Sequence, residues 1–238
     1  MSFQPFHFKQ FKINQDRWAM KVGADSVRRG AQTSLKKKPK SILDIGAGTG
    51  ILALMLAQRG NSDTIDAVEI DDKAFEQCTH NFEDSPWNDR LFCYHASIED
   101  FSEEVTDVYD LIITNPPYHS EDFKSHNVQR DLARFQDALP FTTLMECVSK
   151  LLSKTGIFSI IIPFEEEDKL ISLALNYALF ANDILRVKGH VSAPVKRSII
   201  EFSFVKNKCV FNELIIEKKR HDYTVDYIDL TKDFYLKL

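Results

Sequence analysis

From Ser41 onward, short apolar runs rich in β-branched residues alternate with longer stretches of helical periodicity, and this alternation constrains the fold more than any other feature. Strands are expected over residues 41–45, 64–70, 91–95, 109–114 and 156–163, and helices over 51–59, 72–83, 141–153 and 165–181. Repeated strand–helix–strand units build a parallel sheet with helices on both faces. After residue 181 the rhythm changes. Residues 183–190 and 198–205 are strand candidates joined by a loop too short for a crossover helix, so an antiparallel hairpin is expected. The expected fold is α/β: a doubly wound, mostly parallel seven-stranded sheet with an antiparallel hairpin at its edge. A chain of 238 residues suits one domain, 1–238, in which the segment 1–40 precedes the first sheet strand as a small flap.

Charge is unevenly spread over this pattern. Residues 1–40 hold ten basic side chains against two acidic ones, Asp16 and Asp25, which leaves 20 basic against 33 acidic for the other 198 residues. An anionic partner is therefore expected on the leading segment, with Lys36, Lys37 and Lys38 as candidate contacts, although a solvated loop explains that run equally well. Basic residues recur at Arg28, Arg29, Arg130, Arg134, Lys196, Arg197 and at Lys218-Lys219-Arg220. The longest uninterrupted apolar run, residues 51–57, falls far short of the roughly 20 residues that span a bilayer. The opening Met1-Ser2-Phe3-Gln4-Pro5 lacks the charged start of a secretory signal. Cys78, Cys93, Cys147 and Cys209 lie far apart with no CxxC pair, so neither a disulfide framework nor a metal site is expected. A cytoplasmic protein that needs no membrane and no obligate protein partner is the expectation.

Three sites carry chemistry. The first is Asp44-Ile45-Gly46-Ala47-Gly48-Thr49-Gly50, a glycine-rich turn at a strand's carboxyl end, where open α/β sheets bind ligands. Its GxGxG spacing differs from the GxGxxG of dinucleotide folds, and the carboxylate of Asp44 suits a cationic group better than a pyrophosphate. In an S-adenosylmethionine site such an acid faces the methionyl ammonium. The second is Glu69, which ends the next strand 25 residues after Asp44 and can accept hydrogen bonds from ribose hydroxyls. After the third strand, Ser97 and Ile98 are candidates for the polar and apolar contacts of an adenine.

The third site is Asn115-Pro116-Pro117-Tyr118, at the carboxyl end of the fourth strand and facing the glycine turn. At about 5% usage per residue, a given four-residue string arises by chance in about one chain of this length per thousand. An exocyclic or amide nitrogen is a poor nucleophile because its lone pair is delocalised. The Asn115 side-chain oxygen and the next backbone carbonyl can both accept N–H bonds from one amino group and favour a pyramidal nitrogen. Pro116 fixes φ and holds those acceptors in place, and Tyr118 offers a flat face to an extruded base. Asn115, Pro116 and Tyr118 are the candidate catalytic residues.

Together these motifs resemble the class I S-adenosylmethionine-dependent N-methyltransferases, whose sheet is Rossmann-like. Phe8-Lys9-Gln10-Phe11, residues 19–25 and Arg130-Asp131-Leu132-Ala133-Arg134 further resemble the bacterial tRNA1(Val) adenine-37 N6-methyltransferase family. The resemblance implies S-adenosylmethionine held by Asp44, Gly46, Gly48, Gly50, Glu69 and Asn115, with Lys21 and Asp25 near its methionyl end, and no metal. It also implies a tRNA anticodon arm as substrate, with Tyr118 stacked on the target adenine and Arg130 and Arg134 at its phosphates. Two departures stand out: Ala24 and Ser26 replace an expected Thr and Gly, and Phe135 replaces an expected His. Rival readings are a glutamine N5-methyltransferase acting on release factors, a guanine-N2 rRNA methyltransferase, and a catalytically silent RNA-binding protein on the same fold.

Overall fold

The computed structural model describes residues 4–16, 24–116 and 139–237. Strands β3 (Ser41–Ile45), β4 (Thr64–Glu69), β5 (Leu91–His95), β6 (Tyr109–Thr114) and β7 (Leu152–Pro163) alternate with helices α2 (Ile51–Arg59), α3 (Asp72–Glu83), α4 (Ile98–Glu104) and α5 (Phe141–Leu151). Helix α6 (Glu167–Ala174) leads into the hairpin of β8 (Phe180–His190) and β9 (Val195–Ser203), followed by β10 (Val210–Lys219), β11 (Asp222–Tyr223) and α7 (Val225–Thr231). A short hairpin, β1 (Phe6–His7) with β2 (Lys12–Ile13), and helix α1 (Ala24–Gln32) come before the sheet.

The main sheet has the order β11-β10-β8-β9-β7-β6-β3-β4-β5. Strands β3 to β7 run parallel, and β9 is antiparallel to both β7 and β8. The seven expected strands are all present. Two more, β10 parallel to β8 and β11 antiparallel to β10, extend the sheet past the hairpin, so the hairpin is not its outer edge.

Both faces of the central parallel strands β3, β6 and β7 are covered, which is why their sequences read as nearly continuous apolar runs, whereas the edge strand β5 is largely exposed. Ile42, Ile65, Leu111 and Ile113 face α1, α2 and α3, where Val27, Ala31, Met55 and Phe82 pack. Leu43, Ile45, Val68 and Ile112 face the opposite layer, made with Ile98, Leu144, Val148 and Leu170. Side chains alternate faces along each strand, so neighbours such as Ile42 and Leu43 enter different cores. Residues 51–57 are all buried, which explains a helix with no polar face. Phe8, Phe11 and Ile13 are buried in the same core as α1, and Phe8 stacks on Phe11 and on Tyr235 near the carboxyl terminus. The described part of residues 1–40 is thus packed against the sheet's helices.

Two boundaries differ from expectation. The helix expected over 165–181 ends at Ala174; a 3₁₀ turn, Leu175–Tyr177, follows, and Ala178 adopts the left-handed conformation with φ 56°. The Leu179 N–H returns to the Ala174 carbonyl at 3.0 Å and buries Leu179, which turns the chain straight into β8. Strand β7 begins at Leu152 because Leu152 already pairs with Tyr109; the chain then bulges before Ile157 rejoins opposite Leu111. Among the described residues no helix is long and apolar enough to cross a membrane.

Candidate active site

The carboxyl ends of β3, β4 and β6 converge on the glycine turn. Gly46, Gly48 and Gly50 all have positive φ, at 69°, 58° and 78°. A Cβ added at Gly46 or Gly48 would meet nothing within 4 Å, so the space over the turn is open to a ligand. At Gly50 the demand is internal, because a Cβ there would lie 2.5 Å from the Phe82 ring and 2.8 Å from Cys78 Sγ. The turn is latched to β4 by the Gly46 N–H, which donates to the Val68 carbonyl at 2.9 Å, and by the Gly48 N–H, which donates to Glu69 Oε2 at 2.7 Å. Asn81, on the buried face of α3, donates to the Thr49 carbonyl at 2.9 Å and exchanges hydrogen bonds with the Asn14 backbone. It ties the turn to the amino-terminal hairpin, a role no motif signalled.

Two carboxylates border this space. Asp44 is fully buried; its Oδ2 accepts from the Ala53 N–H at 3.2 Å, while Oδ1 has no hydrogen-bond partner among the described residues. Burial pushes its carboxyl up to about 7, with the Glu69 charge adding to the rise and the Ala53 N–H and Arg29 opposing it. An unpartnered buried carboxylate oxygen is costly, and a cationic group would relieve it. Glu69 is almost buried, its carboxyl raised chiefly by desolvation, and its Oε1 accepts from the Asp71 N–H at 3.0 Å. Backbone N–H groups of Gly48, Ile70 and Asp71 surround it, and a carboxylate has about four lone-pair sites, which leaves room for a hydroxyl donor. Beside it Ile70 is 63% exposed, an apolar side chain presented between two acids at the strand end. The His95 ring, stacked on Phe75 and within 3.1 Å of the Ile70 carbonyl, braces this corner. An apolar residue directly after a strand-ending acid is the signal that would have singled out Ile70.

Ser97 and Ile98, the residues expected to contact an adenine, are engaged within the fold. The Ser97 hydroxyl caps α4, accepting from the Asp100 N–H at 3.0 Å and donating to Asp100 Oδ2 at 2.7 Å. Ile98 is 5% exposed and packs in the core with Val68 and Ile45.

Thr114 Oγ1 donates to the Ile45 carbonyl at 2.8 Å, which holds the end of β6 against the glycine turn and sets the position of Asn115. Asn115 Nδ2 donates to Ser26 Oγ at 2.9 Å, and Pro116 is buried. This bond commits the amide nitrogen to α1 and leaves the amide oxygen as the acceptor for a ligand. Ser26, noted from sequence only as a departure, is thus a contact of the central residue. Asp25 forms ion pairs with Arg28 and, at 3.2 Å, with Arg197. Its carboxylate clamps α1 to β9.

Lys36, Lys37 and Lys38 do not join the site. They are exposed just before β3 begins, and Lys37 Nζ donates to the Thr155 carbonyl at 2.8 Å near the start of β7. They sit at the amino end of the sheet, about 16 Å, the length of β3, from the glycine turn. This places them away from the glycine turn and Asn115, at the opposite end of the sheet. Lys21, Tyr118, Arg130 and Arg134 lie outside the described residues. Among the described residues no group of three or more His, Cys, Asp or Glu is placed to hold a metal, and all four cysteines are free thiols.

Comparisons with known proteins agree with this geometry. Residues 29–139 match the model of the family described as "Methyltransferase small domain". A protein of Flavobacterium psychrophilum named tRNA1(Val) (adenine(37)-N6)-methyltransferase is 55% identical over 98% of this chain and 100% of its own length. One of the same name from Christiangramia forsetii is 54% identical over the full length of both. Among solved structures, a predicted O-methyltransferase from Agrobacterium tumefaciens superposes with a TM-score of 0.69 at 15% identity, covering 87% of this chain and 95% of that one. A glycopeptide N-methyltransferase complexed with S-adenosyl-L-methionine gives a TM-score of 0.51 at 9% identity, covering 69% of this chain and 87% of that one. These structural likenesses show the fold.

Proposed function

The chain belongs to the tRNA1(Val) (adenine(37)-N6)-methyltransferase family, and on that premise we propose that it transfers a methyl group from S-adenosylmethionine to N6 of adenine-37, beside the anticodon of tRNA1(Val). The observation that supports this reading is the hydrogen bond from Asn115 Nδ2 to Ser26 at the end of β6, which leaves the amide oxygen to accept.

The residues present fit the donor. Asp44 Oδ1, buried and unpartnered, suits the methionyl ammonium; Glu69 suits the ribose hydroxyls; Ile70 suits the face of the adenine; and the open space at Gly46 and Gly48 admits close backbone approach. When bound, S-adenosylmethionine supplies a methyl group already activated on a sulfonium. The chain's own task is then to align and polarise the acceptor. Asn115 Oδ1 and the adjacent Pro116 carbonyl accept the two N–H bonds of the adenine amino group, which draws the nitrogen lone pair out of conjugation and toward the methyl. Pro116, buried and with φ fixed by its ring, keeps the second acceptor from drifting. Tyr118 stacks on the extruded base. Adenine-37 lies in a single-stranded loop, so its extrusion costs little stacking and no pairing. The protein acts in the cytoplasm, where its tRNA substrate is found.

The test compares wild type and Asn115→Ala, using isotopically labelled S-adenosylmethionine and tRNA1(Val) transcripts carrying adenine or guanine at position 37. Wild type is expected to label only the adenine transcript. Asn115→Ala is expected to lose about 10²–10³ in kcat, the usual cost of removing one preorganised polar contact, with S-adenosylmethionine affinity retained. Equal labelling of both transcripts would overturn the substrate reading, and near-normal turnover by the variant would overturn the role of Asn115.

A further inference from the structure

We propose that the tips of the β8–β9 and β10–β11 hairpins form a basic rim that holds the phosphate backbone of the tRNA; the inference rests on the reading that tRNA is the substrate. The sheet register brings these tips together. Arg197, near the start of β9, pairs with Pro163, the last residue of β7, and with Val187 near the end of β8. His190 ends β8 beside Glu217 of β10, and Lys219 pairs with Asp222 across the next turn. Because β8 and β10 run in the same sense as β3, β6 and β7, both tips lie at the carboxyl end of the sheet, the end that carries Asn115 and the glycine turn.

Lys188, Lys196, Arg197, Lys218, Lys219 and Arg220 therefore gather from two distant stretches of sequence onto one rim. Three of them are compensated: Lys188 by Glu213 at 2.7 Å, Arg197 by Asp25, and Lys219 loosely by Asp222 at 3.8 Å. Lys196, Lys218 and Arg220 are exposed and have no acidic partner among the described residues. Positive charge free of partners, on a chain whose residues after 40 are strongly acidic in sum, marks a local attraction for a polyanion that the rest of the surface repels. Four strand spacings separate β6 from β10, so the rim reaches about 20 Å from Asn115. A rim that distant has nothing to offer a mononucleotide or a short peptide, but a folded RNA arm with one base inserted at Asn115 spans it. Exposed lysine and arginine side chains without base-reading partners suit phosphate contacts, which position an RNA without reading its sequence.

The test measures binding of the tRNA1(Val) transcript between 50 and 200 mM salt, with S-adenosylmethionine affinity as the control for folding. The triple variant Lys196→Ala, Lys218→Ala, Arg220→Ala is compared with Lys36→Ala, Lys37→Ala, Lys38→Ala, which removes the same charge from the opposite end of the sheet. The rim variant is expected to bind tRNA at least about tenfold more weakly, with a log–log salt slope shallower by about two units, as expected when three phosphate contacts are lost. The amino-end variant is expected to match wild type in both. Equal losses in the two variants, or a rim variant that binds as wild type does, would overturn the rim. If the rim triple loses S-adenosylmethionine binding, the single Arg220→Ala, in an exposed turn, repeats the test with a slope change of about 0.7–0.9. A wild type that binds no tRNA overturns the substrate reading as well, whereas one that methylates tRNA beside an unaffected rim variant overturns the rim alone.

Discussion

Two basic clusters lie at opposite ends of the same sheet. Residues 36–38 form the denser run in sequence, three lysines together, yet they precede β3 and belong to the amino end. Lys196, Lys218 and Arg220 are scattered, and strand register alone gathers them at the carboxyl end. In an open parallel sheet the carboxyl ends are where the strand-to-helix turns open and where ligands bind. The comparison teaches that charge density along a chain says little about a binding surface until topology assigns each charge to an end. The chemistry follows the same division. Asp44, Glu69, Ile70 and Asn115 all lie at the carboxyl ends of strands or begin the turns after them, while at the amino end the described residues make loop contacts such as Lys37 to the Thr155 carbonyl.

Three perturbations sharpen this division, beyond the Asn115→Ala variant, whose loss is expected to be the largest of all. Next in size, Asp44→Asn removes the carboxylate proposed to face the methionyl ammonium; loss of one charge-assisted hydrogen bond predicts S-adenosylmethionine binding weaker by about 10- to 100-fold in titration calorimetry. The pH dependence adds a sign to that prediction. In the ligand-free protein Asp44 titrates at about 7, so it is largely protonated below that pH. A ligand ammonium favours the ionised form, so wild-type affinity is expected to rise from pH 6 to pH 8, whereas Asp44→Asn should lose that slope. Stability of the ligand-free protein moves the other way. The native state keeps a proton that the unfolded chain releases at its ordinary carboxylate pKa, so Asp44 costs stability progressively as pH rises from about 4 through 7. A flat affinity profile in wild type would detach Asp44 from the ligand. The salt-slope comparison between the two basic clusters, expected at about tenfold, comes next.

The smallest effect is expected at Ser26. Ser26→Ala removes the acceptor that orients Asn115 Nδ2, and one neutral hydrogen bond of about 1 kcal/mol predicts a loss of about fivefold in kcat. Steady-state kinetics should show that loss with KM for S-adenosylmethionine unchanged, and Ser26→Thr should restore most of it. An equal loss in the threonine variant would mean that Ser26 acts through packing alone.

The parallel half of the sheet was legible because its residues had no alternative. A run such as Asp110-Leu111-Ile112-Ile113-Thr114, apolar on both faces, fits a strand between two helical layers and little else. The site on it was legible for the same reason, since a glycine turn, an acid at the next strand end and Asn115 beside a proline are each tied to a strand terminus. Strand β10 escaped notice because it is half exposed. Only Leu214 is buried in it, and Asn212, Glu213, Glu217 and Lys218 interrupt any alternation. Without β10 and β11 the hairpin looked like the edge, and the rim could not be recognised. The helix read through to residue 181 failed at Ala178, where a left-handed turn is imposed by burial of Leu179 and has no local signal. The Ser26 contact was hidden by sequence distance, since the separation of 89 positions from Asn115 is closed only by packing α1 onto the sheet.

The most direct test is a crystal structure of the protein with S-adenosylhomocysteine and an anticodon stem-loop carrying adenine-37. The account predicts the adenine amino nitrogen within hydrogen-bonding distance of Asn115 Oδ1 and the Pro116 carbonyl, in line with the sulfur, with the stem's phosphates along the carboxyl rim. An adenine bound elsewhere, with the Asn115 amide turned so that its nitrogen faces the base, would contradict it.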